Sequence, residues 1–118
     1  MENRKVLVVD DEFHIVQVVA IKLKNNGFDV VTAENGITGI DLFKKERPEI
    51  VLTDIKMPGM DGLEVLKKLK EIDSSIPVIV VTGHGDSDLE QEALGLDAAG
   101  FIHKPIDREE LEKVLGRI

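Results

Sequence analysis

Three short, densely apolar runs constrain the fold of this chain more than any other feature. Val6-Leu7-Val8-Val9, Ile50-Val51-Leu52 and Val78-Ile79-Val80-Val81 are rich in β-branched residues and do not alternate with polar ones. A strand with one wet face alternates. A run that is apolar on both sides of the pleat belongs to a strand buried on both faces, as in a parallel sheet covered by helices. Two weaker runs, Phe28 to Thr32 and Gly100 to His103, fit edge strands. Between the runs, apolar residues recur at helical spacing. Ile15, Val18, Val19 and Leu23 share one face; Ile40 and Phe43 mark a second helix; Leu63, Leu66 and Leu69 mark a third. Leu111, Val114, Leu115 and Ile118 form the face of the last. Asp86 to Leu96 is a weaker helical stretch, because Gly95 interrupts it.

The punctuation agrees. Gly27 after Asn25-Asn26 is a helix stop, and Pro48 closes the second helix. Asp61 is placed to cap the third helix with Glu64 three residues on, and Asp107 to cap the last with Glu110 in the same role. The order is strand then helix, five times over. It predicts an α/β fold: a doubly wound, five-stranded parallel sheet with right-handed crossovers and five helices on both faces.

Length and composition fit one such unit. A chain of 118 residues suits a single domain, residues 1–118. Apolar residues make up 42 % and charged residues 32 %, the balance of a globular domain with a real core. The formal net charge of −8 argues against DNA or an anionic membrane as a direct partner. It fits a partner with a basic face, or a bound cation. With no Trp and no Tyr, stacking on nucleic-acid bases is a poor fit. The absence of Cys excludes disulfides, thiol chemistry and thiolate metal sites. No apolar run approaches the roughly 20 residues that a membrane-spanning helix needs. The opening Met1-Glu2-Asn3-Arg4-Lys5 does not have the form of a signal peptide. The expected location is cytoplasmic.

The chemistry gathers at strand ends. Asp10 and Asp11 end the first strand and Asp54 ends the third. In a doubly wound sheet, ligands bind beyond the carboxyl ends of the strands where the strand order reverses. With the order 2-1-3-4-5, that point lies between strands 1 and 3, so the three carboxylates share one crevice. An acidic pair after a strand also suits an N-cap, and a lone Asp suits a turn; the joint placement on neighbouring central strands favours a site. Clustered anions repel, and a hard divalent cation compensates them. Mg²⁺ takes one or two carboxylates together with waters and phosphate oxygens. Thr82, after strand 4, offers a hydroxyl, and Lys104, after strand 5, a cation. Converging on one crevice, these groups make a phosphate site.

In these elements the chain resembles the receiver domains of bacterial response regulators, which have a flavodoxin-like fold, and the resemblance covers its whole length. The pair Asp10-Asp11 is similar to the family's metal-binding pair. Asp54-Ile55-Lys56-Met57-Pro58-Gly59-Met60-Asp61-Gly62 is similar to its phosphorylation loop, with the acceptor first. Thr82 and Lys104-Pro105 fall where the family keeps its hydroxyl and its lysine. The resemblance implies that Asp54 accepts a phosphoryl group from a phosphohistidine on a histidine kinase or phosphotransfer protein. It implies Mg²⁺ bound by Asp11, Asp54 and the backbone carbonyl of Lys56, with Asp10 acting through a water. Lys104 would pair with Asp54 and then with the phosphoryl oxygens. Thr82 would turn toward the phosphoryl group and Phe101 would act as the aromatic switch, passing the signal to an effector protein. Lys56 and His84 stand where the family's residues flank the phosphoryl group and tune its lifetime, and His84 also suits a plain surface-loop residue.

One position departs from the family's pattern: Asp97 stands where many relatives have Gly, which bears on the turn after the fourth helix. The Lys104-Pro105 bond is expected to be cis. A sharp reversal there aims the ammonium back into the crevice, and X-Pro is the bond at which the cis form is accessible. Three competing functions are weaker. A Mg²⁺-dependent aspartyl-phosphate phosphatase needs a second Asp two residues after the nucleophile, where Lys56 stands. A flavodoxin-type electron carrier needs a Ser/Thr-rich phosphate loop where Asp10-Asp11-Glu12 stands. A degenerate receiver serving only as a binding module would not keep the full set of site residues. Either a freestanding regulator or a receiver from a larger regulator or kinase suits the sequence.

Overall fold

The computed structural model describes residues 4–116. Five strands and five helices alternate along the chain: β1 Lys5–Val9, α1 Phe13–Asn25, β2 Asp29–Ala33, α2 Gly36–Glu46, β3 Ile50–Asp54, α3 Gly62–Ile72, β4 Val78–Thr82, α4 Ser87–Gly95, β5 Gly100–His103 and α5 Arg108–Leu115. The strands form one parallel sheet in the order β2-β1-β3-β4-β5. No described helix is long and apolar enough to cross a membrane.

The three apolar runs are the central strands, and β3 and β4 are buried along their whole length. Successive side chains point to opposite faces, and this divides the core in two. Leu7, Val9, Val51, Val78 and Val80 pack with Phe43 of α2, Leu66 and Leu69 of α3, and Ala93 of α4. Val6, Val8, Ile50, Leu52, Ile79 and Val81 pack with Val19 and Leu23 of α1 and Leu111, Val114 and Leu115 of α5. Ile118, expected on the same face of α5, lies outside the described residues. On α1 the buried residues are Val16, Val19, Ala20 and Leu23, whereas Val18 is 48 % exposed. Of the expected face, Val19 and Leu23 are buried and Ile15 packs partly buried against the same cluster, and only Val18 is misplaced, because α1 is apolar nearly all round and its periodicity does not single out a stripe.

The loops follow the predicted stops. α1 ends in a Schellman motif, with Gly27 at φ 85° and the Phe28 N–H donating to the Leu23 carbonyl. The same motif ends α4, with the Ala98 N–H donating to the Ala93 carbonyl and Asp97 holding the left-handed position at φ 69°. The turn is therefore kept without its glycine. Asp61 caps α3 by accepting from the Glu64 N–H, and Asp107 caps α5 by accepting from the Glu109 N–H. Glu110 does not complete the capping box expected of it. Its carboxylate instead accepts from the His103 N–H and lies 3.0 Å from the His103 ring. The Lys104-Pro105 bond is cis. Gly62 begins α3 against the acceptor strand, where a Cβ would collide with the Asp54 carbonyl and the Ile55 Cα.

Candidate functional site

The carboxyl ends of β1 and β3 bring Asp10, Asp11 and Asp54 together, with Glu12 beside them. One carboxylate oxygen from each of the four lies within 4.8 Å of the others. Asp10 and Asp54 are buried, at 3 % exposure each, while Asp11 and Glu12 face solvent. Neither member of the acidic pair caps α1. The N-cap position is Glu12, which makes no side-chain cap bond, and Asp10 Oδ1 instead accepts from the Glu12 N–H at 2.9 Å.

Charge balance at this site is unfavourable without a cation. Burial pushes the Asp10 carboxyl up to about 6, and the Asp54 charge adds to the rise against a bond from the Glu12 backbone. Burial also raises Asp54, although Lys104 pulls the other way. Lys104 Nζ lies 3.1 Å from Asp54 Oδ2 and 3.2 Å from Glu12 Oε1. Burial works to lower the Lys104 pKa, but pairing with Asp54 more than offsets it and the net shift is upward. One ammonium faces four carboxylates. Like charges at this spacing repel by on the order of 3 kcal/mol per pair at an effective dielectric of about 20. The donor set is all hard oxygen and partly solvent-facing, which suits Mg²⁺.

Thr82 and Lys104 are adjacent across the sheet. Thr82 pairs with His103, and the Lys104 N–H donates to the Thr82 carbonyl at 2.8 Å. Thr82 is fully buried, yet its Oγ1 has no hydrogen-bond partner. A buried hydroxyl left unpaired costs about 1–3 kcal/mol, so an arriving oxyanion at this end of the sheet would satisfy it. Phe101 pairs with Val80 on β4 and packs half-buried against the α2–α4 side of the core. Thr82 lies two residues beyond Val80, so Thr82 and Phe101 project to the same face.

The expected residues thus converge. Asp10, Asp11, Asp54, Thr82 and Lys104 end the strands that border one crevice, Lys56 follows directly on β3, and Phe101 lies behind Thr82. Two residues were missed. Glu12 shares the Lys104 ammonium, and its place directly after the acidic pair was the available signal. Asp86 is buried and grips both Lys56 and the backbone of Gly83. In the sequence it looks like an ordinary helix-start aspartate. His84 is exposed on the loop after β4, as a surface residue would be.

Residues 6–116 match the response regulator receiver domain family. Sporulation initiation phosphotransferase F of Bacillus subtilis is 41 % identical over 94 % of this chain and 90 % of its own length. Regulatory protein AtoC of Escherichia coli is 34 % identical over 96 % of this chain, which spans only 24 % of AtoC. Among solved structures, a chemotaxis protein of Vibrio cholerae superposes with a TM-score of 0.93 at 31 % identity, covering 98 % of both chains. A receiver domain protein from Clostridium thermocellum gives 0.93 at 33 % identity, over 97 % of this chain and 92 % of its own. The chain belongs to the response regulator receiver domain family and is a module of two-component signalling. Receiver domains are phosphoryl-accepting signalling modules that bind Mg²⁺ at an acidic pocket and interact with histidine kinases or phosphotransfer proteins and with effectors.

Proposed function

We propose that Asp54 accepts the phosphoryl group, in a Mg²⁺-dependent transfer from a phosphohistidine on a histidine kinase or phosphotransfer protein. The observation that carries this is the buried Asp54 carboxylate, at the switch point of the sheet, bonded to Lys104 among three further carboxylates. An Asp54 carboxylate oxygen attacks phosphorus in line. The P–N bond to the imidazole breaks, and its electron pair stays on the ring nitrogen, which leaves as histidine. Such transfers need positioning and charge neutralisation more than covalent help.

The roles of the remaining groups follow from their chemistry. Asp11, Asp54 and the Lys56 carbonyl would hold Mg²⁺ directly, and Asp10 through a water. Bound Mg²⁺ would neutralise the carboxylates and the incoming phosphoryl oxygens. Lys104 moves its ammonium from the Asp54 carboxylate to the phosphoryl group it carries, and so keeps one charge-assisted contact throughout. Thr82 donates its unpartnered hydroxyl to the phosphoryl oxygen. Its displacement opens space on the face shared with Phe101, which can repack and alter the surface an effector protein meets. The chain acts on its own aspartate alone, promoting its phosphorylation and dephosphorylation. Residues 1–118 form one receiver unit, and its working compartment is the cytoplasm.

The test is intact mass after incubation with Mg²⁺ and acetyl phosphate, with and without chelator. One phosphoryl adduct that needs the metal is expected. Continuous phosphate release without an adduct would replace this reading with a phosphatase, and no reaction would replace it with a binding module.

A further inference from the structure

Among the described residues, Asp86 is the one buried charged side chain outside the acidic crevice. It is 3 % exposed, and both of its oxygens are committed. Oδ2 accepts from the Gly83 N–H at 2.6 Å, a short charge-assisted bond. Oδ1 lies 2.7 Å from Lys56 Nζ, an ion contact off the usual hydrogen-bonding direction. These contacts hold the carboxyl below its usual range, the Lys56 ammonium first and the Gly83 N–H after it. Lys56 stands two residues after Asp54, and Gly83 directly after Thr82. Asp86 therefore ties the loop after β3 to the loop after β4 across the mouth of the crevice. The Lys56 side chain is its exposed strut, 64 % exposed overall.

We propose that Asp86 is a positioning residue for the phosphoryl site: it parks the Lys56 ammonium away from Asp54 and holds the Gly83 peptide in the unphosphorylated arrangement. This rests on Asp54 being the acceptor. A phosphoryl group on Asp54 brings about two negative charges to the crevice and competes with Asp86 for Lys56. The inward movement of Thr82 carries the Gly83 peptide with it and draws the N–H off Asp86. Both ties break together, so the latch opposes the phosphorylated arrangement and gates how readily the loop after β4 follows the phosphoryl group.

The test uses beryllium fluoride with Mg²⁺ as the phosphoryl mimic, titrated by calorimetry and followed by amide NMR. Asp86→Asn is expected to tighten binding by about fivefold, the size of one weakened ion contact. The same change in a Lys56→Met background is expected to alter affinity less than about twofold, because the ammonium that Asp86 withholds is gone. In the unmodified chain the Gly83 amide proton is expected far downfield and to shift upfield on saturation. If Asp86→Asn does not fold, the Gly83 shift and the single Lys56→Met titration, expected to weaken binding, decide the matter. An unchanged affinity for Asp86→Asn, an equal effect in both backgrounds, or a Gly83 amide that keeps its shift overturns the latch. Asp54→Asn is the control. Binding to that variant as tight as to the unmodified chain would defeat the acceptor assignment, and the latch with it, whereas loss of binding there with no effect of Asp86→Asn would defeat the latch alone.

Discussion

The two sides of the crevice are built differently. On the acceptor side, α3 begins with a side-chain cap from Asp61, sets Gly62 against the Asp54 backbone, and buries Val65, Leu66 and Leu69 completely. On the reporting side, α4 has no side-chain cap bond and buries only Ala93, leaving Leu94 52 % exposed. It follows a Gly83-His84-Gly85 loop and ends on Asp97 in a left-handed turn. The polar groups differ in the same sense: Asp54 is bonded to Lys104, whereas the Thr82 hydroxyl has no partner. The groups that carry the chemistry are preorganised on rigid elements. The reporting groups Thr82 and Phe101 lie on β4 and β5, but the helix that follows Thr82 has few buried apolar contacts and opens at lower free energy. A receiver needs both, a fixed place for the phosphoryl group and a neighbour that can move when it arrives.

The comparison can be broken most plainly by truncating the two helices. Leu69→Ala on α3 is expected to cost about 2–5 kcal/mol, and Leu94→Ala on α4 to stay within about 0.5 kcal/mol. Urea unfolding measures both, and equal losses would remove the asymmetry. Next in size is relief of the crowded carboxylates. In metal-free buffer at pH 7, Asp54→Asn is expected to stabilise the fold by on the order of 1–2 kcal/mol, because one buried like charge is removed while the amide can still accept from Lys104. The same variant should lose most of the stabilisation that Mg²⁺ confers. An equal Mg²⁺-dependent rise in Tm in both proteins would move the metal elsewhere.

A smaller effect sharpens the reporting side. Asp97→Gly is expected to stabilise by about 0.5–1 kcal/mol by removing a side chain from a left-handed turn. The Asp97 contact with Lys70 is long, 3.6 Å, and its Asp97 side is 88 % exposed, so it is too weak to offset this. The smallest effect concerns His103, which joins β5 to Glu110 of α5 and Glu90 of α4. Glu110 foremost, with Glu90, raises its pKa above 6.5 against some burial. A group with a raised folded pKa contributes stability fully below its unfolded pKa and loses it as pH rises through the folded value. The advantage of the unmodified chain over His103→Gln should therefore be largest near pH 6 and fade toward pH 9. It should also stay small, because the His103 side chain is 57 % exposed and screened. A Tm difference that does not change with pH would show that the ring acts through packing alone.

Much of this was legible in the sequence, for physical reasons. Strands buried on both faces leave continuous β-branched runs, so β1, β3 and β4 declared themselves, and alternation with helices fixed the sheet type. The strand-end rule then placed Asp10, Asp11, Asp54, Thr82 and Lys104 around one crevice. What escaped depends on side-chain reach across loops. Val18 was assigned to the buried face because an all-round apolar helix carries no phase. Glu110 looks like a capping-box residue at its spacing, but His103 on the neighbouring strand offered better partners. Asp86 was invisible because its importance lies in Lys56 and Gly83, which spacing along the chain does not bring together.

The central claim, that Asp54 carries the phosphoryl group, has a direct measurement. The chain is incubated with Mg²⁺ and acetyl phosphate, the acyl phosphate is reduced with borohydride, and the modified residue is located by peptide mass spectrometry. The account predicts a single modified residue, Asp54, and no modification anywhere in Asp54→Asn. Modification of Asp54→Asn at the level of the unmodified chain, or its location on any other residue, would contradict it.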